Sequence, residues 1–195
     1  MKQVQEFDKQ QFIIEECMLF SVQAGLQTRN KNYPIYAGKP LTEVQKRLKQ
    51  QYDNRSNLKI SLYDFLMEYL NDIKLNGIQE EHHCERIIEL SNHISQKYNE
   101  ILFNGRFRIG ISQKIINLFL KYMWSMGEIP EPCHCPVDGI VKSQIERRFG
   151  RSKLIDWTKL DNLHDYLEYI NVIQKIIIQE KISIAQWEFL NWGRR

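Results

Sequence analysis

The chain of 195 residues carries 27 lysines and arginines against 24 aspartates and glutamates, a formal net charge of +3, and 43% of its residues are hydrophobic. This length predicts one domain, or one domain with a small annex, and the apolar content suffices for a buried core. The net charge is too small to mark a nucleic-acid-binding protein by itself. No apolar run approaches the length of a membrane span, so we expect a protein that does not cross a membrane.

Apolar residues of the first half recur at the spacing of helices, and no credible run of alternating strands interrupts them. The stretch TRNKNYPIYAGKP, residues 28–40, contains proline and glycine and predicts a loop. Ser61 fits the N-cap of a helix that follows it. The predicted helices of this half cover residues 4–26, 41–52, 61–75 and 79–100.

The second half follows the same helical pattern with two breaks. FNGRFRIGIS, residues 103–112, carries two glycines and two arginines, and GEIPEPCHCP, residues 127–136, is a proline-rich connector. Capping-box patterns mark two helix starts, at Thr158 with Asp161 and at Ser183 with Gln186. The predicted helices of this half cover residues 113–126, 139–149, 159–180 and 184–192.

No internal repeat, low-complexity tail or clear linker divides the chain. IQKIIIQEKISIA has strong β-propensity, but its isoleucines recur at helical spacing and favour a buried helix. We therefore predict one compact, multi-helix, all-α domain over residues 1–195. Within it, residues 1–102 and 103–195 can form two helical lobes that meet near residues 103–138.

The two breaks place a lysine and an aspartate at predicted helix starts. Lys114 falls in the first turn of one helix, and Asp138 directly precedes the next. The backbone N–H groups and the dipole at a helix N-terminus favour a carboxylate and disfavour an ammonium. An ionised Asp138 beside a partly deprotonated Lys114 is suited to attack at an electron-poor carbon and to stabilise charge on a sugar ring. Asp138 is also explained by a capping role alone.

The segments GRFRIGISQKIINLFLKYMW and PCHCPVDGIVKSQIERRFG together resemble the core of the helix-hairpin-helix DNA glycosylase superfamily. In that family a glycine-containing hairpin leads into a helix that starts with a catalytic lysine in the bifunctional members, and a Val-Asp pair follows. The resemblance implies a helix-hairpin-helix element between two lobes, with Lys114 as nucleophile and Asp138 as activating carboxylate. Lys121 shares the helical face of Lys114 and stays a rival nucleophile, because the glycine spacing is wider than in the family.

Within the superfamily, the chain most resembles the archaeal 8-oxoguanine DNA glycosylases. They too have a glutamine before the lysine, as Gln113 stands here, and an acidic residue with a tryptophan four positions later in the last helix, as Glu188 and Trp192 stand here. The resemblance implies that Glu188 and Trp192 lie in a base pocket and, through FSVQAG, that Gln23 lies near it. It also implies 8-oxoguanine as a base that is flipped out of double-stranded DNA.

Basic side chains crowd the segments on both sides of Lys114 and Asp138. The functional interpretation is a set of contacts to DNA phosphates, which position a protein on a duplex without reading its sequence. The alternative is an ordinary solvated basic face. The predicted backbone contacts are Arg106, Arg108, Lys142, Arg147 and Arg148.

Cys17, Cys84, Cys133 and Cys135 show no disulfide-framework spacing, and the polar first ten residues lack the apolar part of a signal peptide. We therefore expect a cytoplasmic protein with reduced thiols. The CHC and HHC motifs offer zinc ligands, but adjacent residues of an extended loop point to alternate sides, and the two motifs are far apart in sequence. We expect small thiols that pack a buried loop, and no metal or cofactor.

Together these residues predict a DNA glycosylase and AP lyase. The enzyme would flip a damaged or modified base, attack the sugar with Lys114 to give a Schiff base, and cut the resulting lesion by elimination. The alternative is a non-enzymatic all-α module that binds DNA or another partner, in which Lys114 is a contact and Asp138 is a cap.

Overall fold

The computed structural model of the protein describes most of the chain. The described residues are 8–38, 44–150 and 153–192, with the backbone alone for residues 44–53. The first residues of two predicted helices, 4–7 and 41–43, lie outside these ranges. Within them the protein is all-α, as the helical periodicity predicts.

Seven α-helices follow one another in the described part of the chain, joined by loops and short 3-10 turns. One isolated bridge, between Tyr36 and Leu102, pairs extended segments. Among the residues described, no helix has the apolar length that crossing a membrane requires. The helices are α1 (Lys9–Gly25), α2 (Val44–Asn76), α3 (Glu80–Tyr98), α4 (Ile109–Ser125), α5 (Gly139–Phe149), α6 (Leu163–Glu180) and α7 (Ile184–Asn191).

The two helices predicted over residues 41–52 and 61–75 are a single helix, α2. Ser61 is therefore not an N-cap. It lies inside α2, where its hydroxyl is 2.8 Å from the hydroxyl of Tyr98 on α3. The polar stretch between the predicted helices contains neither proline nor glycine, and the buried Leu58 carries the apolar stripe through it. The polar residues of this stretch thus interrupt the apolar pattern, but they do not end the helix.

The later helix boundaries follow the sequence more closely. α5 begins and ends at the predicted residues, and the capping box predicted for α7 is present with both of its hydrogen bonds. α6 begins later than predicted, at Leu163, and its N-cap is Asn162. The capping box predicted at Thr158 and Asp161 is therefore wrong, since Thr158 belongs to a separate 3-10 turn, Trp157–Lys159.

The hairpin predicted over residues 103–112 is shorter in the structure. The chain reverses at Asn104 and Gly105, whose φ angles of 54° and 66° lie in the left-handed region that glycine adopts without cost. α4 then begins at Ile109, so Gly110 lies in the helix and not in the hairpin. Gly110 is thus a packing residue of α4 and not part of the hairpin, which explains the wide spacing between Gly105 and Gly110.

α4 lies at the centre of the fold, and α1 and α3 pack along it. Most of its residues are buried, including several polar ones. Gly25 lets α1 approach closely, because a Cβ at this position would overlap the Ile115 side chain. Gly110 lets the 3-10 turn Trp157–Lys159 approach α4 closely, because a Cβ added at position 110 would overlap the backbone carbonyl of Trp157. The buried apolar cluster around α4 draws residues from both halves of the chain.

We expect Gly110→Ala to destabilise the protein by about 3 kcal/mol, since the added methyl meets backbone that cannot rotate away. Gly139→Ala is the matched control, because it too lies in the first turn of a helix, and a Cβ there meets no described atom within 4 Å. That control should be neutral or more stable by about 0.5–1 kcal/mol. Urea unfolding of both variants measures the difference, and equal effects would contradict the close approach.

Candidate active site

The side-chain amide of Gln113 holds the backbone of Val137. Gln113 lies on α4 and is fully buried. Its Oε1 accepts from the Val137 N–H at 3.0 Å, and its Nε2 donates to the Val137 carbonyl at 2.6 Å. Nε2 also donates to the Gly110 carbonyl at 2.9 Å, which anchors the amide to its own helix. This two-point contact, called the Gln113 clasp below, fixes the connector before α5 against α4.

The clasp brings Lys114 and Asp138 together, because each directly follows one of its two members in sequence. The Lys114 Nζ lies 3.9 Å from Oδ2 of Asp138. Both side chains are largely buried, with 13% and 17% of their surfaces exposed. The separation allows strong attraction but exceeds a hydrogen bond, so a substrate atom can reach both groups.

The two carboxylate oxygens of Asp138 have different surroundings. Oδ1 accepts from the backbone N–H of Ile140 at 2.8 Å and of Val141 at 3.2 Å, so Asp138 is the N-cap of α5 as predicted. Oδ2 faces Lys114. The cap holds the carboxylate in one orientation and leaves its second oxygen directed at the lysine, so the capping and catalytic interpretations are compatible in geometry.

Lys114 does not lie in the first turn of its helix, because α4 begins at Ile109. The expectation that the helix N-terminus acts on this ammonium is therefore wrong, since that field falls off within the first turn. Lys114 instead stands over the indole of Trp157, with Nζ 4.3 Å from the ring centroid. At this distance the aromatic face attracts the cation.

A cleft of about 1010 Å³ opens beside this pair. Lys114, Asp138 and Trp157 line it, together with the loop after α1, which contributes Asn30 and Tyr36. The volume is at the upper end of the range for small-molecule sites. Residues 28–38 of the predicted loop are free of helix in the structure, and residues 39–40 lie outside the described residues. Nothing in the sequence predicted that this loop lines the same cleft as Lys114.

Arg108 holds residues around this cleft together and is almost fully buried. It is the N-cap residue of α4 and only 5% exposed. Its guanidinium donates to the backbone carbonyls of Tyr33, Pro34 and Thr158 at 2.7–3.1 Å. The predicted contact of Arg108 with the DNA backbone stays a prediction that this arrangement does not favour, because Nε and Nη2 donate to carbonyls inside the protein.

The other predicted backbone contacts lie nearer the surface, and three of them have acidic partners. Arg106 pairs with Asp161 at 2.8 Å, Lys142 pairs with Asp156 at 2.7 Å, and Arg148 pairs with Glu180. Arg147 is exposed and donates to Gln144 on its own helix. Exposed ion pairs of this kind contribute about 0–1 kcal/mol, so a phosphate can replace the carboxylate. Lys142 also lines the cleft.

The rival lysine, Lys121, is held by a buried carboxylate. Its Nζ lies 2.6 Å from Oε2 of Glu188, which is 2% exposed, and 4.7 Å from the ring centroid of Trp192. Burial raises the pKa of the Glu188 carboxyl, Lys121 opposes the shift, and the charge of Asp138 adds to it. Glu188 and Trp192 thus meet Lys121, which does not line the cleft that Lys114 lines.

Gln23 is the predicted base-pocket residue that the structure does not bring to either lysine. It is exposed on α1 and lines a separate cavity with Glu16, Lys59 and Tyr63. Its neighbour Ala24 is the α1 residue that reaches the cleft. Trp157 lines the cleft but is not among the site residues predicted from sequence, although the nearby Asp156, Lys159 and Asp161 are typical of a surface turn.

We expect Gln113→Leu to cost about 3 kcal/mol, because it leaves the buried N–H and carbonyl of Val137 without partners. Gln144→Leu is the control, since Gln144 donates one hydrogen bond to the Asn191 carbonyl from a half-buried position. That change should cost about 1 kcal/mol or less. Denaturant unfolding decides, and a Gln113 variant as stable as the control would contradict the clasp.

We expect Asp138→Asn to keep the stability of the protein within about 1 kcal/mol, because asparagine is as good an N-cap as aspartate. Asp138→Ala removes the acceptor of two N–H groups and should cost about 1 kcal/mol more than asparagine. Thermal unfolding of the two variants separates the cap from the charge. An asparagine variant as unstable as the alanine variant would show that the charge, and not the cap, carries the stability.

Comparisons of the chain with protein-family models, with curated proteins and with solved structures found no match. The geometry consists of an ordered lysine–aspartate pair on the wall of a cleft, fixed by the Gln113 clasp, with an aromatic ring beneath the lysine.

Proposed function

We propose that the protein is a DNA glycosylase with AP lyase activity, in which Lys114 is the nucleophile and Asp138 stabilises charge on the sugar. The observation that carries the proposal is the 3.9 Å separation of Lys114 Nζ and Asp138 Oδ2 at the wall of an open cleft. The resemblance of the surrounding sequence to the helix-hairpin-helix glycosylases supports it.

The chemistry follows from the two groups. The ammonium of Lys114 first releases a proton to solvent. The resulting amine attacks the C1′ carbon of the sugar, and the bond from C1′ to the base breaks. The base leaves with the electron pair of that bond and takes up a proton. The carboxylate of Asp138 stabilises the positive charge that develops on the sugar, because Oδ2 faces the same space as the amine. The sugar then opens to a Schiff base, from which elimination cuts the strand.

The cleft supports a flipped nucleotide as the substrate. A base stacked in a duplex cannot present C1′ to a buried amine, so enzymes of this kind extrude the nucleotide into a pocket. The volume of about 1010 Å³ accommodates it. Trp157 and Tyr36 line the cleft and offer aromatic surfaces to an extruded base.

The duplex would lie beside α5, and its phosphates would contact Arg147, Arg148 and Lys142. These side chains belong to α5, the helix whose start is Asp138, so phosphates held by them bring the sugar near the cleft. Arg148 and Lys142 would exchange Glu180 and Asp156 for phosphate. Binding should therefore weaken with salt.

The sequence resemblance makes 8-oxoguanine the first base to test. We propose a cytoplasmic location, which is supported by the four free cysteines, since these suit a reducing compartment. Each pKa shift that is resolved for these thiols is upward and caused by burial, so none of them is an activated nucleophile competing with Lys114.

Borohydride trapping tests the proposal. The protein is incubated with labelled duplexes that contain 8-oxoguanine, uracil, a modified cytosine or an abasic site, and borohydride is added. We expect a covalent protein–DNA band on at least one duplex, since reduction fixes a Schiff base. Lys114→Gln should abolish the band, and Asp138→Asn should slow base release at least about a hundredfold.

Lys121→Gln is the control at the rival position. It should retain the band, provided that the variant is folded, which circular dichroism checks. A band that survives Lys114→Gln and disappears in Lys121→Gln would show that the nucleophile is Lys121, which pairs with Glu188. DNA binding without base release and without a band on any duplex would instead favour the alternative, a non-enzymatic binding module.

A further inference from the structure

Two cysteine- and histidine-containing segments meet inside the protein, far from each other in sequence. His83 and Cys84 lie in the first turns of α3, and Cys133 and His134 lie in the connector before α5. One ligand atom from each of His83, Cys133 and His134 can be chosen so that all three lie within 4.8 Å of one another. His83 and His134 are almost fully buried, and Cys133 is half-buried.

We propose that His83, Cys133 and His134 form a binding site for a borderline-soft divalent cation, of which Zn²⁺ is the natural candidate. Two imidazoles and one thiolate are the donor set that such ions prefer. Binding releases the thiol proton of Cys133 to solvent, and the resulting thiolate offsets one of the two positive charges of the cation. The inference is independent of the DNA chemistry, because none of the three residues lines the cleft beside Lys114.

The surroundings of both imidazoles are those of metal ligands. Nε2 of His134 lies 3.1 Å from Oε1 of Glu80, and Nε2 of His83 lies 2.9 Å from Oδ1 of Asn117. Each of these oxygens accepts a hydrogen bond from its imidazole, which places the ring proton on Nε2 and the lone pair on Nδ1. Histidine ligands in metal sites are oriented in this way, by an outer carboxylate or carbonyl.

The two Nδ1 atoms now accept from tyrosine hydroxyls. The Tyr69 hydroxyl lies 3.0 Å from His83 Nδ1, and the Tyr166 hydroxyl lies 3.0 Å from His134 Nδ1. A cation would replace these two hydroxyl hydrogens as the partner of the lone pairs. Burial lowers the pKa of His83 to about 3, so its imidazole is neutral at physiological pH and needs no deprotonation to bind.

The connector explains how residues that are adjacent in sequence reach the site. Cys133 and His134 face α3, whereas the buried Cys135 lies among Glu188, Lys121 and Asp138, whose charges act on its thiol. The alternation expected for an extended loop is therefore broken at Cys133 and His134, where the chain bends, and both residues reach His83 of the HHC motif. The bound cation would tie the start of α3 to the connector that carries Asp138.

Metal content and cobalt substitution test the proposal on the full chain. Protein purified from zinc-supplemented medium should contain about one equivalent of zinc per chain, and a chelator should lower its Tm. Co²⁺ added to the metal-free protein should give a thiolate-to-cobalt charge-transfer band and d–d bands of a low-symmetry site. Both should disappear in Cys133→Ser and persist in Cys17→Ser, because Cys17 lies on α1, away from the cluster.

The cobalt titration of the unaltered chain tests the proposal even if Cys133→Ser does not fold. A folded unaltered chain that contains no zinc and gives no cobalt charge-transfer band would overturn the proposal. A band that persists in folded Cys133→Ser, or that disappears in folded Cys17→Ser, would overturn it as well. Failure of the DNA experiments leaves these readouts unchanged, so the two proposals are tested separately.

Discussion

The two hydrogen bonds between the Gln113 amide and the backbone of Val137 are the contact on which the site depends. They join α4 to the connector before α5, which has no regular secondary structure. Both hydrogen bonds are buried. This contact sets the separation of Lys114 and Asp138, because they directly follow Gln113 and Val137 in sequence. A buried amide that satisfies both polar groups of one residue is a rigid support, since breaking it leaves two unpaired groups in the core.

The clasp belongs to a longer chain of buried hydrogen bonds. The Nδ2 of Asn117 donates to Gln113 Oε1 at 3.3 Å and to the Tyr166 hydroxyl at 3.0 Å, while its Oδ1 accepts from His83. The Tyr166 hydroxyl in turn donates to His134. The proposed metal site and the Gln113 clasp are thus both hydrogen-bonded to Asn117. An ion bound at this site would hold the connector at two points, directly through Cys133 and His134 and indirectly through the clasp at Val137.

The sequence predicted those parts that local interactions determine. The helical periodicity, the limits of α5 and the capping roles of Asp138 and Ser183 all follow from residues within a few positions of each other. Tertiary packing decided the rest. Arg106 and Arg108 look equivalent in sequence, yet one is partly exposed and the other is buried as a donor to three carbonyls. The contact of Gln113 with Val137 spans 24 residues, and no local pattern reports it.

The most direct test of the account is to identify the residue that becomes attached to DNA. The borohydride-reduced complex is digested with protease and nuclease, and the modified peptide is sequenced by mass spectrometry. The account expects the sugar remnant on Lys114, the residue that the Gln113 clasp places 3.9 Å from Asp138. A remnant on Lys121 or on any other side chain, with Lys114 unmodified, would contradict it.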